Sequence, residues 1–229
     1  MNSTTETARP TVKVWELKPG NVNDYAPLVF VSDRDIESGM FDAEGEPLTW
    51  KKKPKVEVFV EPGKKKAKPL ADVSVLTPGA VALNQKAKGA LGPFLSRFGQ
   101  FLEMDCVGTP RWFYNVTNVL ACIDEARSAK KPSGAISKEE FFEDKVPVDA
   151  AVFKDPLMAA GKLYVNEAAK SVLEKLFEEA GIIGAAFVEP GPPPKKSRPR
   201  ARAAGRTHPV RCRWVMGSGM APKPLTAAS

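Results

Sequence analysis

The side chains of this chain that could do chemistry are mainly carboxylates and lysines, because its 229 residues include a single histidine, His208. His208 lies in a proline- and arginine-rich C-terminal stretch, so the rest of the chain has no imidazole to act as an acid–base group or metal ligand. A Ser–His–Asp or Cys–His nucleophile pair is excluded there for the same reason. The sequence also has no glycine-rich phosphate loop. We therefore predict no catalytic residue, no metal, no cofactor and no enzyme activity.

Acidic residues fall in two dense clusters that could form a charged binding surface. The N-terminal acidic cluster, which we expect in a protruding loop, consists of Asp33, Asp35, Glu37, Asp42, Glu44 and Glu46. The central acidic cluster consists of Glu139, Glu140, Glu143 and Asp144. Ser137 and Glu140 have the spacing of a capping box, which predicts a short helix over 137–144. Phe141 and Phe142 lie in that helix, either turned into the core or exposed as an apolar anchor beside the charge.

Basic residues are clustered as well. Eight lysines lie between Lys51 and Lys68, next to the N-terminal acidic cluster, so the pair forms either two solvated loops or a binding face with a charge gradient. Nine of the 34 basic residues follow Pro190, where there is no acidic residue. Without them the net charge of +7 disappears, since 25 basic residues face 27 acidic ones. The basic tail suggests an alternative function, non-specific association with nucleic acid.

The three cysteines, Cys106, Cys122 and Cys212, match neither a disulfide framework nor a zinc site. Cys106 and Cys122 have apolar neighbours and are predicted to be small core residues. No apolar run reaches the length of a membrane span, and the polar first ten residues do not resemble a secretory signal. We therefore expect a cytoplasmic protein.

An internal repeat identifies the elements that would carry these side chains. The stretch 81–88 resembles 163–170 at an offset of 82 residues, and each reads as a short apolar strand, an Asn and a helix. Asn84 and Asn166 are predicted to cap the two helices. Helical spacing predicts the buried faces, which are Ala87, Leu91, Phe94, Leu95 and Phe98 in the first helix and Ala169, Val172, Leu173, Leu176 and Phe177 in the second. Pro93 should kink or split the first helix, and Gly181 should end the second.

Apolar runs and turn residues between the repeats predict further strands, so the fold class is α+β. We expect one domain over 11–190, with a mixed or antiparallel sheet and two main helices. Residues 1–10 are predicted to be disordered, as is the Pro/Arg-rich tail over 191–229, which has too few apolar residues to bury.

One run of residues also resembles a known family. The run Trp112 to Asp124, with Tyr114, Asn115-Val116 and an apolar stretch before the final Asp, is similar to the signature of a bacterial immunity-protein family. That family, immunity family eleven or the myxobacterial-type immunity domain, is encoded beside polymorphic toxins. The ranges 81–95, 151–154 and 163–187 agree with it, so the likeness covers about residues 70–190.

The resemblance implies a role and no catalytic residues. A member of this family would bind a cognate toxin, delivered by a contact-dependent or type VI secretion route, and neutralise it by stoichiometric occlusion. Many such toxins are nucleases with basic clefts, so both acidic clusters are candidate toxin-binding residues. A nucleic-acid-associated protein acting through the tail and an enzyme with an unmarked site remain the alternatives.

Overall fold

The computed structural model describes residues 13–191, and this part of the chain contains twelve strands and three helices. The predictions of a disordered N-terminus over 1–10 and a disordered tail over 191–229 fall outside the described residues, apart from Gly191. Among residues 13–191 no helix is both long and apolar enough to cross a lipid bilayer.

The first sheet has four antiparallel strands and joins the two ends of the described part. Its order is β10 (Val152–Phe153), β11 (Tyr164–Asn166), β1 (Val14–Pro19) and β12 (Ala185–Val188). Strand β1 thus lies between two strands from the other end of the chain, with Trp15 opposite Val165 and Leu17 opposite Phe187.

The second sheet has six strands and is mixed. Its order is β2 (Leu28–Phe30), β3 (Lys55–Val58), β6 (Gly99–Cys106), β7 (Thr109–Val116), β5 (Val81–Leu83) and β4 (Val73–Ser74). Only the β3–β6 pair is parallel. A separate ribbon pairs β8 (Ala129–Lys130) with β9 (Ile136–Lys138). The predicted α+β class is confirmed, with the strands divided between two main sheets.

The repeat forms two equivalent strand–helix units. Strand β5 leads into α2 (Gln85–Leu95), and β11 leads into α3 (Glu167–Ala180). The side chain of Asn84 accepts a hydrogen bond from the Ala87 amide at 2.8 Å, and that of Asn166 accepts one from Ala169 at 2.9 Å. Both predicted caps are therefore confirmed, and each satisfies an amide that its helix leaves unpaired.

The two helices pack against each other and share one apolar core with both main sheets. The residues buried at matching positions are Ala87 and Ala169, then Leu91 and Leu173. Helical spacing was wrong for Val172, which is 38% exposed. Val172 precedes Leu173, so the turn of the helix carries it away from the buried stripe.

The helix ends differ between the two units. Pro93 does not split α2, which runs as one helix with the proline in its last turn. The proline forgoes one helical hydrogen bond, to the carbonyl four residues before it, and only two helical residues follow it. Helix α3 ends as predicted at Gly181, whose φ of 59° lies in the left-handed region that glycine adopts without strain.

Candidate functional site

The N-terminal acidic cluster lies on the short helix α1 (Asp33–Glu37) and on the segment after it, so the prediction of a simple loop was incomplete. In residues 41–46 the side chains alternate between interior and solvent. Phe41, Ala43 and Gly45 are buried, whereas Asp42, Glu44 and Glu46 are exposed. The segment thus lies flat on the protein and directs three carboxylates outward.

Aromatic packing anchors this segment from below. The ring of Phe41 lies 4.3 Å from Phe30, 5.0 Å from Trp50 and 5.4 Å from Phe113, measured between centroids. Trp50 Nε1 donates to the carbonyl of Met40 at 2.7 Å. These contacts immobilise the backbone that carries the carboxylates, because close-packed rings leave few alternative positions.

Side chains from distant strands bind the carbonyl groups of the same segment. Asn115, on β7, donates from Nδ2 to the Glu46 carbonyl at 2.7 Å. Lys154, which follows β10, donates from Nζ to the carbonyls of Ala43 and, at 2.7 Å, Ala159. The acidic segment is therefore held by hydrogen bonds as well as by packing.

Lys154 is a buried cation and has no carboxylate in direct contact among the described residues. It is 0% exposed, and burial lowers the pKa of its ammonium to about 8, while the negative charge of Glu44 opposes that shift. Its hydrogen bonds go to backbone carbonyls rather than to a carboxylate. As a result, Lys154 positions the acidic segment without neutralising its side chains directly.

Most carboxylates of the N-terminal cluster have no cationic partner within residues 13–191. Only Asp35, which is 8% exposed, pairs with a lysine, Lys52, and the distance is 4.0 Å. The carboxylates that form no ion pair with a described lysine or arginine are Asp33, Glu37, Asp42, Glu44 and Glu46. Five carboxylates without an ion pair, together with one exposed arginine, Arg34, lie on 14 residues and make a negative surface.

A groove of about 630 Å³ adjoins this surface. Glu44 and Glu46 form one wall, and Val119, Leu157 and Met158 form the apolar part. Val119 is 40% exposed and Leu157 48% exposed, so the groove offers apolar area that the folded chain leaves uncovered. We call these five residues the acidic groove.

Gly45 allows the acidic segment to lie against the groove. Its φ is +100°, and a β-carbon at this position would collide with the Val119 side chain. Glycine is thus required by both the backbone conformation and the close approach. The sequence contains no sign of Leu157 as a site residue and marks Val119 only as part of the run that resembles the immunity family, because long-range packing brings both residues to the site.

The central acidic cluster does not form the predicted surface helix. Ile136–Lys138 is strand β9, and residues 139–144 continue as an irregular segment with a turn. Glu139, expected at the surface, is 3% exposed. Pairing of β9 with β8 and burial of Glu139 outweigh the local capping-box preference, so both the helix and the role of Glu139 were mispredicted.

Glu139 instead belongs to a buried ionic cluster. Its Oε1 pairs with Lys162 Nζ and accepts a hydrogen bond from the Tyr164 hydroxyl at 3.2 Å. Lys162 also lies 3.6 Å from Glu16, a second buried carboxylate. Burial and the Glu139 charge together raise the pKa of Tyr164 far above its usual value. The cluster ties β1, β11 and the 139–144 segment together.

The remaining members of the central cluster lie in different surroundings. Glu140 pairs with Lys138 at 2.8 Å, while Glu143 and Asp144 are exposed on the turn. Phe141 packs edge-on against Tyr164 at 5.4 Å, and Phe142 lies under Lys145, whose Nζ is 3.9 Å from the ring centroid. The structure therefore does not bring an apolar anchor and free carboxylates together here.

The cysteines and the candidate metal ligands show no reactive arrangement within the described part of the chain. Cys106 and Cys122 are buried, and burial raises the pKa of the Cys122 thiol to about 11. Residues 13–191 contain no group of three or more His, Cys, Asp or Glu side chains that could hold a metal ion.

Comparison of the chain with protein-family models and with curated proteins finds no match.

Proposed function

We propose that this chain is an immunity-type protein that binds a basic toxin through the N-terminal acidic cluster and the acidic groove, and neutralises it by occlusion. The observation that carries the proposal is the set of five exposed carboxylates that form no ion pair among the described residues, three of them on an anchored segment. Fixed charges of one sign attract a partner of the opposite sign and increase its rate of association.

The acidic groove supplies apolar contact area, which charged side chains alone do not provide. Protein complexes gain most of their affinity from a few apolar or aromatic side chains that fill a desolvated pocket, while charges at the rim set orientation. Val119 and Leu157 provide such apolar area beside Glu44 and Glu46. A partner segment with an apolar side chain between lysines or arginines would satisfy both parts.

The run that resembles immunity family eleven supports this assignment through its position. Asn115, in that run, fixes the Glu46 carbonyl, and Val119, in the same run, lines the groove. The carboxylates precede the range that the resemblance covers, but Asn115 and Val119, which hold and adjoin them, lie within it. We infer a cytoplasmic role against a delivered toxin, with a nuclease as the class that fits best. A nuclease binds phosphates in a basic cleft, to which this surface is complementary.

Capture of the partner tests the proposal. Tagged full-length chain is used to isolate binding proteins from the native host, which are identified by mass spectrometry. The captured protein is then expressed in a test bacterium with and without this chain. We expect growth arrest alone and growth in the presence of the chain; absence of any toxic partner would contradict the proposal.

Charge variants then locate the face. The triple variant Asp42→Asn, Glu44→Gln and Glu46→Gln should slow association with the captured toxin about tenfold, because it removes the attracting charges. The matched control, Glu143→Gln, Asp144→Asn and Glu178→Gln, changes the net charge equally at exposed, unpaired positions and should leave the rate nearly unchanged. Equal slowing by both variants would show that only net charge matters.

A further inference from the structure

The second half of the lysine-rich stretch, residues 59–69, forms a closed loop whose two ends are fixed to neighbouring residues, Pro27 and Ala26. The Phe59 amide donates to the Pro27 carbonyl at 3.0 Å, and the Ala26 amide donates to the Pro69 carbonyl at 3.0 Å. Lys68 closes the loop further by donating to the Val22 carbonyl at 3.0 Å and pairing with Glu61. The loop between these ends is therefore a defined surface feature.

A small pocket lies inside this loop. Its volume is about 150 Å³, and its walls include Pro27, Phe59 and Ala67, with Lys64 and Lys66 beside them. Phe59 is 38% exposed, so part of its ring faces solvent. A cavity of about 150 Å³ with apolar walls is known to hold a benzene ring, which sets the scale for a single planar aromatic group.

The lysines beside the pocket, Lys64 and Lys66, form no ion pair with a described carboxylate. Glu61 is the carboxylate that lines the pocket, and it is paired with Lys68, which holds its pKa below the usual value. Lys64, Lys65 and Lys66 are exposed and form no ion pair with a described carboxylate. An anion near the rim would therefore meet Lys64 and Lys66, and the one carboxylate among the lining residues, Glu61, is already paired.

We propose that this pocket binds a nucleotide, with the base against Phe59 and the phosphate at Lys64 and Lys66. An apolar, ring-sized recess beside fixed cations matches a planar base that carries a phosphate, and stacking of a base on an aromatic ring contributes about 1–3 kcal/mol. This site is separate from the acidic groove and goes beyond the proposed toxin binding. The ligand is either a free nucleotide or one unit of a single strand.

Two probes distinguish these sources, and each is titrated calorimetrically into the full-length chain. Thymidine monophosphate represents the free nucleotide and a ten-residue oligothymidylate the strand, with heparin as a polyanion that has no base. Phe59→Leu keeps an apolar side chain and removes the ring, and it should weaken whichever nucleotide probe binds about fivefold or more while leaving heparin unaffected. Binding of the strand alone assigns the pocket to single-stranded nucleic acid; binding of both assigns it to nucleotides generally.

Charge variants provide the second arm. Lys64→Gln with Lys66→Gln should weaken the nucleotide probe more than the matched pair Lys131→Gln with Lys175→Gln, which removes two exposed lysines elsewhere. Equal loss in both pairs, with no effect of Phe59→Leu, would mean that the chain attracts polyanions by net charge only and would overturn the proposal. The basic tail can produce only that charge-dependent result, because it does not include Phe59.

A measurement on the unaltered protein guards against variants that fail to fold. Ultraviolet crosslinking of the oligothymidylate to the full-length chain, followed by mass spectrometry, reports the contact residues directly. Crosslinks within 59–68 support the pocket. Crosslinks confined to residues after 191, or the absence of binding by both nucleotide probes, would overturn it.

Discussion

The two acidic clusters look alike in the sequence, yet the structure exposes one and takes the other apart. In the N-terminal cluster, five carboxylates are exposed to solvent, and three of them lie on an anchored backbone. In the central cluster, Glu139 is buried against Lys162 and Tyr164, and Glu140 is paired with Lys138. Each region contains a buried or nearly buried lysine, and the difference lies in what that lysine binds.

Lys162 binds carboxylates, whereas Lys154 binds backbone carbonyls. The first arrangement consumes the negative charge and turns it into a link between strands. The second holds the acidic segment in place and leaves its charge available. Whether an acidic stretch can serve as a binding surface thus depends on whether a distant lysine binds its carboxylates or its backbone carbonyls. The sequence of the stretch itself does not show which of these occurs.

Removal of Glu139 should have the largest effect on stability. Glu139→Ala leaves the Tyr164 hydroxyl without its partner in the interior and leaves Lys162 with Glu16 alone, and breaking such a buried pair costs about 3–5 kcal/mol. Urea denaturation would measure this loss. The control Glu143→Ala, on the exposed turn, should change the free energy of unfolding by less than about 0.5 kcal/mol. Similar values for the two variants would contradict the buried ionic cluster.

The next largest effect on the unfolding free energy is expected for substitution of Lys154, and this effect depends on pH. The pKa of its ammonium is about 8 in the folded protein and 10.5 in the unfolded chain. Between these values the unfolded state binds more protons, so this group makes folding more favourable as the pH rises. Relative to Lys154→Met, the unfolding free energy of the native chain should increase by up to about 3 kcal/mol from pH 8 to 10.5.

The methionine variant is the reference because both proteins contain the buried Tyr114 and Tyr164. The contributions of these tyrosines to the pH dependence therefore cancel. Denaturation curves at several pH values would give the difference directly. A difference that stays constant across this range would show that the Lys154 ammonium is hydrated and has an ordinary pKa.

Asp35 is intermediate between the buried, ion-paired carboxylates and the exposed ones that form no ion pair. It is buried in the N-terminal cluster, but its lysine partner is 4.0 Å away and largely exposed. Such a pair contributes little, so Asp35→Asn should reduce the unfolding free energy by about 1 kcal/mol or less. A thermal melt compared with that of Glu139→Gln provides the check, and an equal loss in both variants would place Asp35 among the interior ion pairs.

The smallest change in stability is expected for the exposed carboxylates. The triple variant Asp42→Asn, Glu44→Gln and Glu46→Gln removes charges that have no described partner and repel one another. Its unfolding free energy should stay within about 0.5 kcal/mol of the native value or rise slightly. Chemical denaturation in parallel with the binding assay would separate function from folding, and a large loss would indicate that these side chains hold the segment in place.

Local patterns predicted the two repeat units well. Asn84 and Asn166 act on amides three residues away, and the buried leucines follow from helical spacing, so neighbouring residues contain the necessary information. The capping-box helix at 137–144 failed because its outcome depends on Lys162 and Tyr164, which lie elsewhere in the sequence. Local preference is a weak guide where a distant ion pair decides burial.

The candidate site was only partly accessible from the sequence. The alternation of Phe41, Ala43 and Gly45 with three acids was visible and indicates a half-buried segment, although we read it as a protruding loop. The groove was not visible, because Val119 and Leu157 come together only through the fold and lie 38 residues apart in the sequence. Charge could be located from the sequence, but the apolar surface beside it could not.

Strand β1 is synthesised early, but the strands with which it pairs are synthesised near the end of the described part of the chain. Its neighbours, β11 and β12, come from residues 164–166 and 185–188, so the first sheet cannot close until that end of the chain has left the ribosome. Synthesis at about 5–20 residues per second makes this delay on the order of ten seconds or more. During this delay, Trp15 and Leu17 of the nascent chain cannot yet be covered by β11 and β12. In the proposed role, a newly started chain would begin to protect only after this delay.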